Sequence, residues 1–319
     1  MTTRVLAVPV RMEMVPTDLI ERAKEYARQS KSAATLKVYD TEWRIFTAWC
    51  SMHGVSPLPA SPEVVAAYVV DRADHVRPVT IKRGLAAIST AHKVAGFDSP
   101  TASQAVRLTM QGLRRVKGTS SSPRRALRVV DVRKMISTVP DSVVGIRDRA
   151  IILLGFTGGM RRSEVVGLDV SDVTFEPEGI ILTIRKSKRD QERRGRRVAV
   201  PCGRYEATCP VQALRAWLDV RGNSAGPLFV RLDAGAPRER LDGRAVAELV
   251  KRAVRRAGLD PVFFSGHSLR RGFATECARA GAAETSIMKT TGHASLVTMR
   301  GYIEDGRLFE NLAASVLDL

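Results

Sequence analysis

Cysteine is scarce in this chain of 319 residues: four stand far apart (Cys50, Cys202, Cys209 and Cys277), with no Cys-x-x-Cys pair. A disulfide framework and a structural zinc site are thereby excluded, and the thiols read as buried or incidental groups. Long apolar runs are missing as well. The longest, 150–156, falls well short of the ~20 residues that a spanning helix needs. The apolar stretch behind Met1 is too short for a signal peptide, so a soluble, cytoplasmic protein is expected. No Gly-x4-Gly-Lys-Ser/Thr, His-Glu-x-x-His or strand-borne Gly-x-Gly-x-x-Gly occurs, which removes the common phosphate-loop, zinc-protease and dinucleotide sites. Nor is there a carboxylate cluster of the kind a two-metal nuclease requires. His53, His75 and His92 stand alone and read as surface or helix-packing residues.

Acidic residues are also in short supply: 33 Asp/Glu against 51 Lys/Arg leave a formal net charge of +18. Residues 1–120 carry 17 Lys/Arg against 10 Asp/Glu, and the remainder 34 against 23. The excess therefore belongs to both halves and not to a detachable basic tail. A surface this basic attracts a polyanion, nucleic acid first among them. Hydrophobic residues at 44% and charged residues at 26% describe a globular chain and exclude a disordered, collagen-like or coiled-coil one. The length suggests two domains.

The first half reads as helices. After an early helix over 18–29, Leu36, Tyr39, Trp43, Phe46 and Cys50 make one stripe at 3-4-3-4 spacing over 32–54. Ser61-Pro62-Glu63 is an N-cap with proline at the first helical position; Val64, Ala67, Tyr68 and Asp71 follow it. A third helix from Thr80 places Ile81, Leu85, Ile88 and His92 on one face and stops at Gly96, and a fourth aligns Val106, Met110 and Leu113. Periodicity is lost through Gly118-Thr-Ser-Ser-Ser-Pro123, the composition of an exposed linker. The expected organisation is a helical domain over 15–118, a linker over 119–126 and a second domain over 127–319. In the latter, helices are expected at 145–156, after Gly159, at 211–220, 244–257, 268–280 and 284–290, and near the C-terminus. Ile180, Leu182 and Ile184 alternate, as do Arg196, Val198 and Val200, which predicts a β-hairpin. The fold class is mainly α with a small β-sheet in the C-terminal domain.

Candidate chemistry lies in the second half. Gly158-Gly-Met-Arg161-Arg-Ser-Glu164 opens a helix, so Arg161 and Glu164 share a face, and the two glycines permit close backbone approach to a ligand. Lys188, in the basic run between the strands, shares the parity of Ile180, Leu182 and Ile184. His267-Ser-Leu-Arg270 pairs two polar groups on one helical face; Thr291-Gly-His293 and Tyr302 follow. Each segment alone is as well explained by ordinary packing and solvated charge.

Together, in this order and spacing, they resemble the tyrosine recombinases, the family of phage integrases and the Cre- and Xer-like site-specific recombinases. The matching segments are Gly-Met-Arg161-Arg-Ser-Glu, Ser187-Lys188, His267-Ser-Leu-Arg270-Arg-Gly-Phe-Ala-Thr, Thr-Gly-His293 and Gly-Tyr302. The N-terminal Thr35-x3-Tyr39-x3-Trp43-x2-Phe46 is similar to the family's helical core-site-binding domain. The resemblance covers roughly residues 15–310, with Arg162 and Thr291 standing where an apolar residue and leucine are common in the family.

The resemblance implies a two-domain DNA clamp: a helical core-binding domain and an α+β catalytic domain that cleaves and rejoins DNA through a 3′-phosphotyrosine intermediate. Arg161 and Arg270 would hold the phosphate oxygens, and His267 and His293 would donate hydrogen bonds or handle protons. Lys188 would be the general acid, Tyr302 the nucleophile, and Glu164 an orienting neighbour. Neither metal nor other cofactor is implied. The implied partner is double-stranded DNA bearing a core site, bound by a homo-tetramer on synapsed duplexes, with a monomer or weak oligomer when free. The tail after Tyr302, Leu308 to Leu317, would dock on a neighbouring protomer. Location would be cytoplasmic, at the nucleoid. A separate arm-binding domain is not expected. A type IB topoisomerase or hairpin resolvase would use the same pocket, and a DNA-binding regulator with a silent site is the rival from another class. Lys82, Arg83, Arg252 and Arg255 are candidate DNA contacts, since helices at 80–92 and 244–256 carry them.

Overall fold

The structure, a computed structural model, describes residues 16, 18, 19, 22, 31–118, 125–185, 195–232, 239–293 and 296–306. The chain divides into two compact units, 1–121 and 122–319. The helix expected over 18–29, the stretch 119–124, Lys188 and the tail after Gly306 fall largely or wholly outside the described residues.

In the first unit lie α1 (Ala33–Met52), α2 (Pro62–His75), α3 (Pro78–Val94) and α4 (Gln104–Lys117). Serines start three of them: Ser32, Ser61 and Ser103 each accept a hydrogen bond from the backbone N–H three residues on, which satisfies a donor the helix cannot. α1 packs on α3 and α2 on α4. Phe46, Cys50, Val65, Tyr68, Ile88 and Val106 form the core, with the Phe46 and Tyr68 rings edge to face at 5.0 Å. The faces expected of α1, α3 and α4 lie inward, except that Leu36 at the start of α1 is exposed. In α2 the buried face is Val65, Tyr68, Val69 and Ala73 instead of Val64, Ala67 and Asp71. Apolar residues run all around that helix, so its periodicity is degenerate and the neighbouring helices select the face.

His92 is buried between two backbone groups. Its Nδ1 donates to the Ile88 carbonyl and its Nε2 accepts from the Ala60 N–H, both at 2.9 Å. It is a packing residue, as its isolation in the sequence suggested.

The second unit contains α5 (Val129–Ser137), α6 (Val143–Thr157), α7 (Arg162–Gly167), β1 (Val173–Glu176), β2 (Gly179–Ile184), β3 (Arg196–Pro201), α8 (Pro210–Arg221), α9 (Gly243–Arg256), α10 (Gly266–Arg279), α11 (Glu284–Thr291) and α12 (Leu296–Gly306). The apolar run too short for a membrane is the central helix: Ala150 to Leu154 of α6 are buried throughout, with α8 and α10 against it. Among the described residues no helix is long and apolar enough to cross a membrane. The strands pair antiparallel in the order β1-β2-β3. Ile180 faces Val200 and Leu182 faces Val198 on the buried side. Two elements were not anticipated, β1 and α5. Four residues of alternation in β1 are too few to stand out from noise, and the exposed Val129 and Val130 blur the face of α5.

Candidate active site

The site gathers around the turn that follows α6. Gly159 has φ +54, and a Cβ there would lie 2.7 Å from the Phe273 ring and 2.8 Å from Thr291 Cγ2. Its carbonyl accepts from Arg270 Nη1 at 2.9 Å. The glycine therefore serves a close approach within the chain. Two residues on, Arg161 caps α7. Its backbone N–H donates to Glu164 Oε2 at 2.9 Å and its Nη1 to Oε1 at 2.5 Å. The Glu164 carboxylate has no exposed surface, and its remaining capacity is taken by Arg196 Nη2 at 2.7 Å.

Arg196, at the start of β3, is the residue that sequence reasoning missed. Its Nη1 donates to the Thr290 carbonyl at the end of α11, so one guanidinium ties the strand, the Arg161 partner and the segment before His293 together. Burial lowers its pKa, an effect the Glu164 carboxylate opposes and Arg161 reinforces. The available signal was parity: Arg196 shares the buried face of Val198 and Val200, an odd place for an arginine without a buried carboxylate to meet.

α10 supplies two groups. Ser265 caps it, which brings the polar first turn into the site. Arg270 has no exposed surface. Its Nη1 donates to the carbonyls of Gly159 and Thr291, while its Nε and Nη2, also buried, have no hydrogen-bond partner. Burial, and then the charge of Arg161, pushes its pKa down to about 9, which leaves it charged at neutral pH. Of the pair on this face, the arginine is buried and the His267 imidazole exposed. The atoms crowded around it still displace much of its water, and this desolvation holds its pKa below the ordinary imidazole value. The charges of Arg270, Arg161, Arg271 and Arg162 push the same way.

Tyr302 lies on α12, which packs along α10. Its hydroxyl is 3.1 Å from His267 Nε2, its ring is 5.8 Å from that of His293, and the Arg271 guanidinium carbon is 5.5 Å from its centroid. Gly292 turns the chain between α11 and α12 with φ +63; a Cβ there would meet Arg196 Nε at 2.7 Å. Its carbonyl receives Arg161 Nη2 at 3.4 Å. Thus Arg161, Glu164, His267, Arg270, His293 and Tyr302, spread over 142 positions of sequence, come together. Several cations surround a single carboxylate, and a buried guanidinium keeps two donor atoms unused. That arrangement suits an oxyanion beside a tyrosine hydroxyl.

The other candidates lie elsewhere or are engaged. Arg83 donates to the buried Glu42 carboxylate at 2.6 and 2.8 Å, and Arg252 reaches Asp148 at 3.4 Å. Lys82 and Arg255 are exposed. A cleft of about 460 Å³ opens between α7, α9 and the start of α10, with Arg162, Arg244 and Lys251 along it.

Residues 125–307 match the phage integrase family. The chain is 38% identical over 299 residues to an integrase/recombinase xerD homolog of Selenomonas ruminantium, a match that covers 92% of this chain and 87% of that protein. The XerH site-specific recombinase, solved bound to its palindromic difH substrate after cleavage, superposes with a TM-score of 0.70 at 20% identity over 95% of this chain and 85% of its own. The lambda integrase tetramer, solved on a Holliday junction, gives 0.61 at 18% identity over 90% and 76%. By its sequence matches over nearly the whole length, with the fold in agreement, the chain belongs to the phage integrase family and is a site-specific tyrosine recombinase.

Proposed function

We propose that this recombinase breaks one strand of a specific core site in double-stranded DNA by attack of Tyr302 Oη on the phosphorus. The observation that carries the assignment is the 3.1 Å contact between Tyr302 Oη and His267 Nε2, beside the two uncommitted buried donors of Arg270. A free tyrosine hydroxyl, with pKa near ~10, holds its proton at neutral pH. His267, kept neutral by partial desolvation and by the surrounding cations, accepts that proton as the O–P bond forms. The phosphate gathers charge on its non-bridging oxygens, and Arg161 and Arg270 stabilise it there with forked N–H donors, His293 adding a further hydrogen bond. Glu164 orients Arg161 and does not touch the reacting atoms. The bond from phosphorus to the 5′-oxygen breaks. Lys188, outside the described residues, protonates that oxygen by the resemblance given above. The product is a 3′-phosphotyrosine ester and a free 5′-hydroxyl. The ester retains the energy of the broken diester, so attack by another 5′-hydroxyl rejoins the strand and Tyr302 recovers its proton.

In the same reading the helical unit grips the core site and the second unit carries the chemistry, with the boundary in the serine-rich stretch. The basic cleft along Arg162, Arg244 and Lys251 supports a path for the phosphate backbone. The lambda integrase tetramer on a Holliday junction supports strand exchange by a homo-tetramer on two synapsed duplexes, assembled at the nucleoid from a monomer or weak oligomer. The test is covalent trapping on a nicked duplex carrying the site. A denaturing gel is expected to show a protein–DNA adduct that Tyr302→Phe abolishes. An adduct that survives Tyr302→Phe removes Tyr302 as the nucleophile. Binding without adduct, at a site located by footprinting, favours the silent regulator.

A further inference from the structure

Thr291 is fully buried, and its hydroxyl meets three groups. Oγ1 lies 2.7 Å from the Ile287 carbonyl, 3.4 Å from the Met288 carbonyl and 2.7 Å from His293 Nδ1. Hydrogen accounting leaves one arrangement. Both carbonyls are acceptors only, so the single hydroxyl proton is directed to them, and the oxygen can only accept from the imidazole. Nδ1 of His293 must therefore carry a proton. The neutral ring is the Nδ1–H tautomer, which free histidine disfavours, and its lone pair resides on Nε2.

We propose that Thr291 is a positioning residue of the cleavage site: its hydroxyl locks His293 in the Nδ1–H form, so that the ring engages a phosphate oxygen through Nε2 only as imidazolium. The proposal rests on the reading of His293 as a phosphate donor. A neutral ring held this way presents a lone pair to an oxygen that also carries lone pairs, and the contact is repulsive. The doubly protonated ring presents an N–H and a positive charge. An anionic phosphate arriving at Nε2 thus favours proton uptake by His293, and the resulting hydrogen bond is charge-assisted. The same threonine also holds the pocket together. Its carbonyl receives Arg270 Nη1 and its methyl abuts Gly159, so Thr291→Val deletes the hydroxyl and retains the rest.

The tautomer can be read directly by nitrogen NMR of the full chain labelled with 15N-histidine, at a pH above the titration of imidazole. The signals of His293 are identified by their loss in His293→Gln. His92, held as Nδ1–H by Ala60 and Ile88, is an internal reference. Wild-type protein and Thr291→Ser are expected to show His293 protonated at Nδ1, and Thr291→Val to show it protonated at Nε2. In the nicked-duplex assay at saturating DNA, Thr291→Val is expected to form the adduct about 10-fold more slowly, the scale for a lost partner that orients a histidine, and Thr291→Ser at close to the wild-type rate. A wild-type His293 found as Nε2–H overturns the proposal without any variant. So does a Thr291→Val protein whose tautomer or adduct rate is unchanged. A wild-type protein that shows Nδ1–H and yields no adduct instead sinks the cleavage reading, and leaves the tautomer assignment standing.

Discussion

Buried polar groups are treated differently in the two units. In the helical unit Glu42 receives Arg83, Trp49 Nε1 donates to Asp71 at 3.0 Å, and both ring nitrogens of His92 meet backbone partners. Among the described residues, buried side-chain polar atoms without a hydrogen-bond partner stand out in the second unit: one atom each on Arg149, Arg196 and Thr275, and two on Arg270. A satisfied buried group contributes to stability, whereas an unsatisfied one costs roughly 1–3 kcal/mol. Two of those atoms, on Arg270, lie within reach of the Tyr302 charge, where an anionic oxygen would satisfy them. The contrast separates the histidines too. His92 is saturated and structural; His267 is exposed, aimed at Tyr302 and surrounded by cations.

The comparison breaks most sharply at Arg270. Replacing it with methionine removes two donors from the developing charge and is expected to slow adduct formation 10²–10³-fold, equivalent to roughly 3–4 kcal/mol. The melting temperature is expected to change little, because loss of the buried charge offsets loss of its bonds to the Gly159 and Thr291 carbonyls. A protein destabilised in step with its lost activity would instead mark Arg270 as structural. His92→Ala is the mirror image. Loss of a buried ring and two hydrogen bonds is expected to cost about 2–3 kcal/mol in urea unfolding, while adduct formation at saturating DNA stays near wild type. An adduct rate that falls tenfold would join the two units functionally.

A finer test uses pH. Neutral His267 is the base, and its lowered pKa keeps it neutral to more acid conditions than free imidazole. The acid limb of adduct formation is therefore expected to break below the ordinary value of ~6.5. Arg271→Gln removes one of the depressing charges and moves the limb upward; a limb that starts above the ordinary value contradicts the base assignment. The smallest effect concerns DNA affinity. Lys82→Gln is expected to reduce the salt slope of binding by about one. Arg83→Gln is expected to reduce it less, because Glu42 already engages that guanidinium. Equal slopes would show that the Glu42 pair opens on binding.

Much of this was legible in one dimension. The Ser61 cap, the Pro62 start and the stripes of α1, α3 and α4 are local signals, and they located those helices to within a few residues. The alternation of 180–184 and 196–200 predicted the hairpin, and the spaced Arg161, His267, Arg270, His293 and Tyr302 singled out residues that the fold brings together. What stayed hidden depends on neighbours far along the chain. The inward face of α2 was decided by the helices around it, and β1 becomes a strand by pairing Val173 with Leu182. Nothing local says that Arg196 shares Glu164 with Arg161, or that Arg270 is buried and His267 exposed.

The sequence by itself determined which groups this protein has: a cationic set, two histidines and a tyrosine in the order of the family, on segments whose local propensities make helices and one hairpin. Only the tertiary structure decided their states. Burial, the loan of carbonyls from Gly159 and Thr291 to Arg270, and the Thr291 hydroxyl at His293 determine which donors stay open and which nitrogen carries a proton. Those quantities are properties of proximity in space, where dielectric, hydrogen-bond partners and neighbouring charge act.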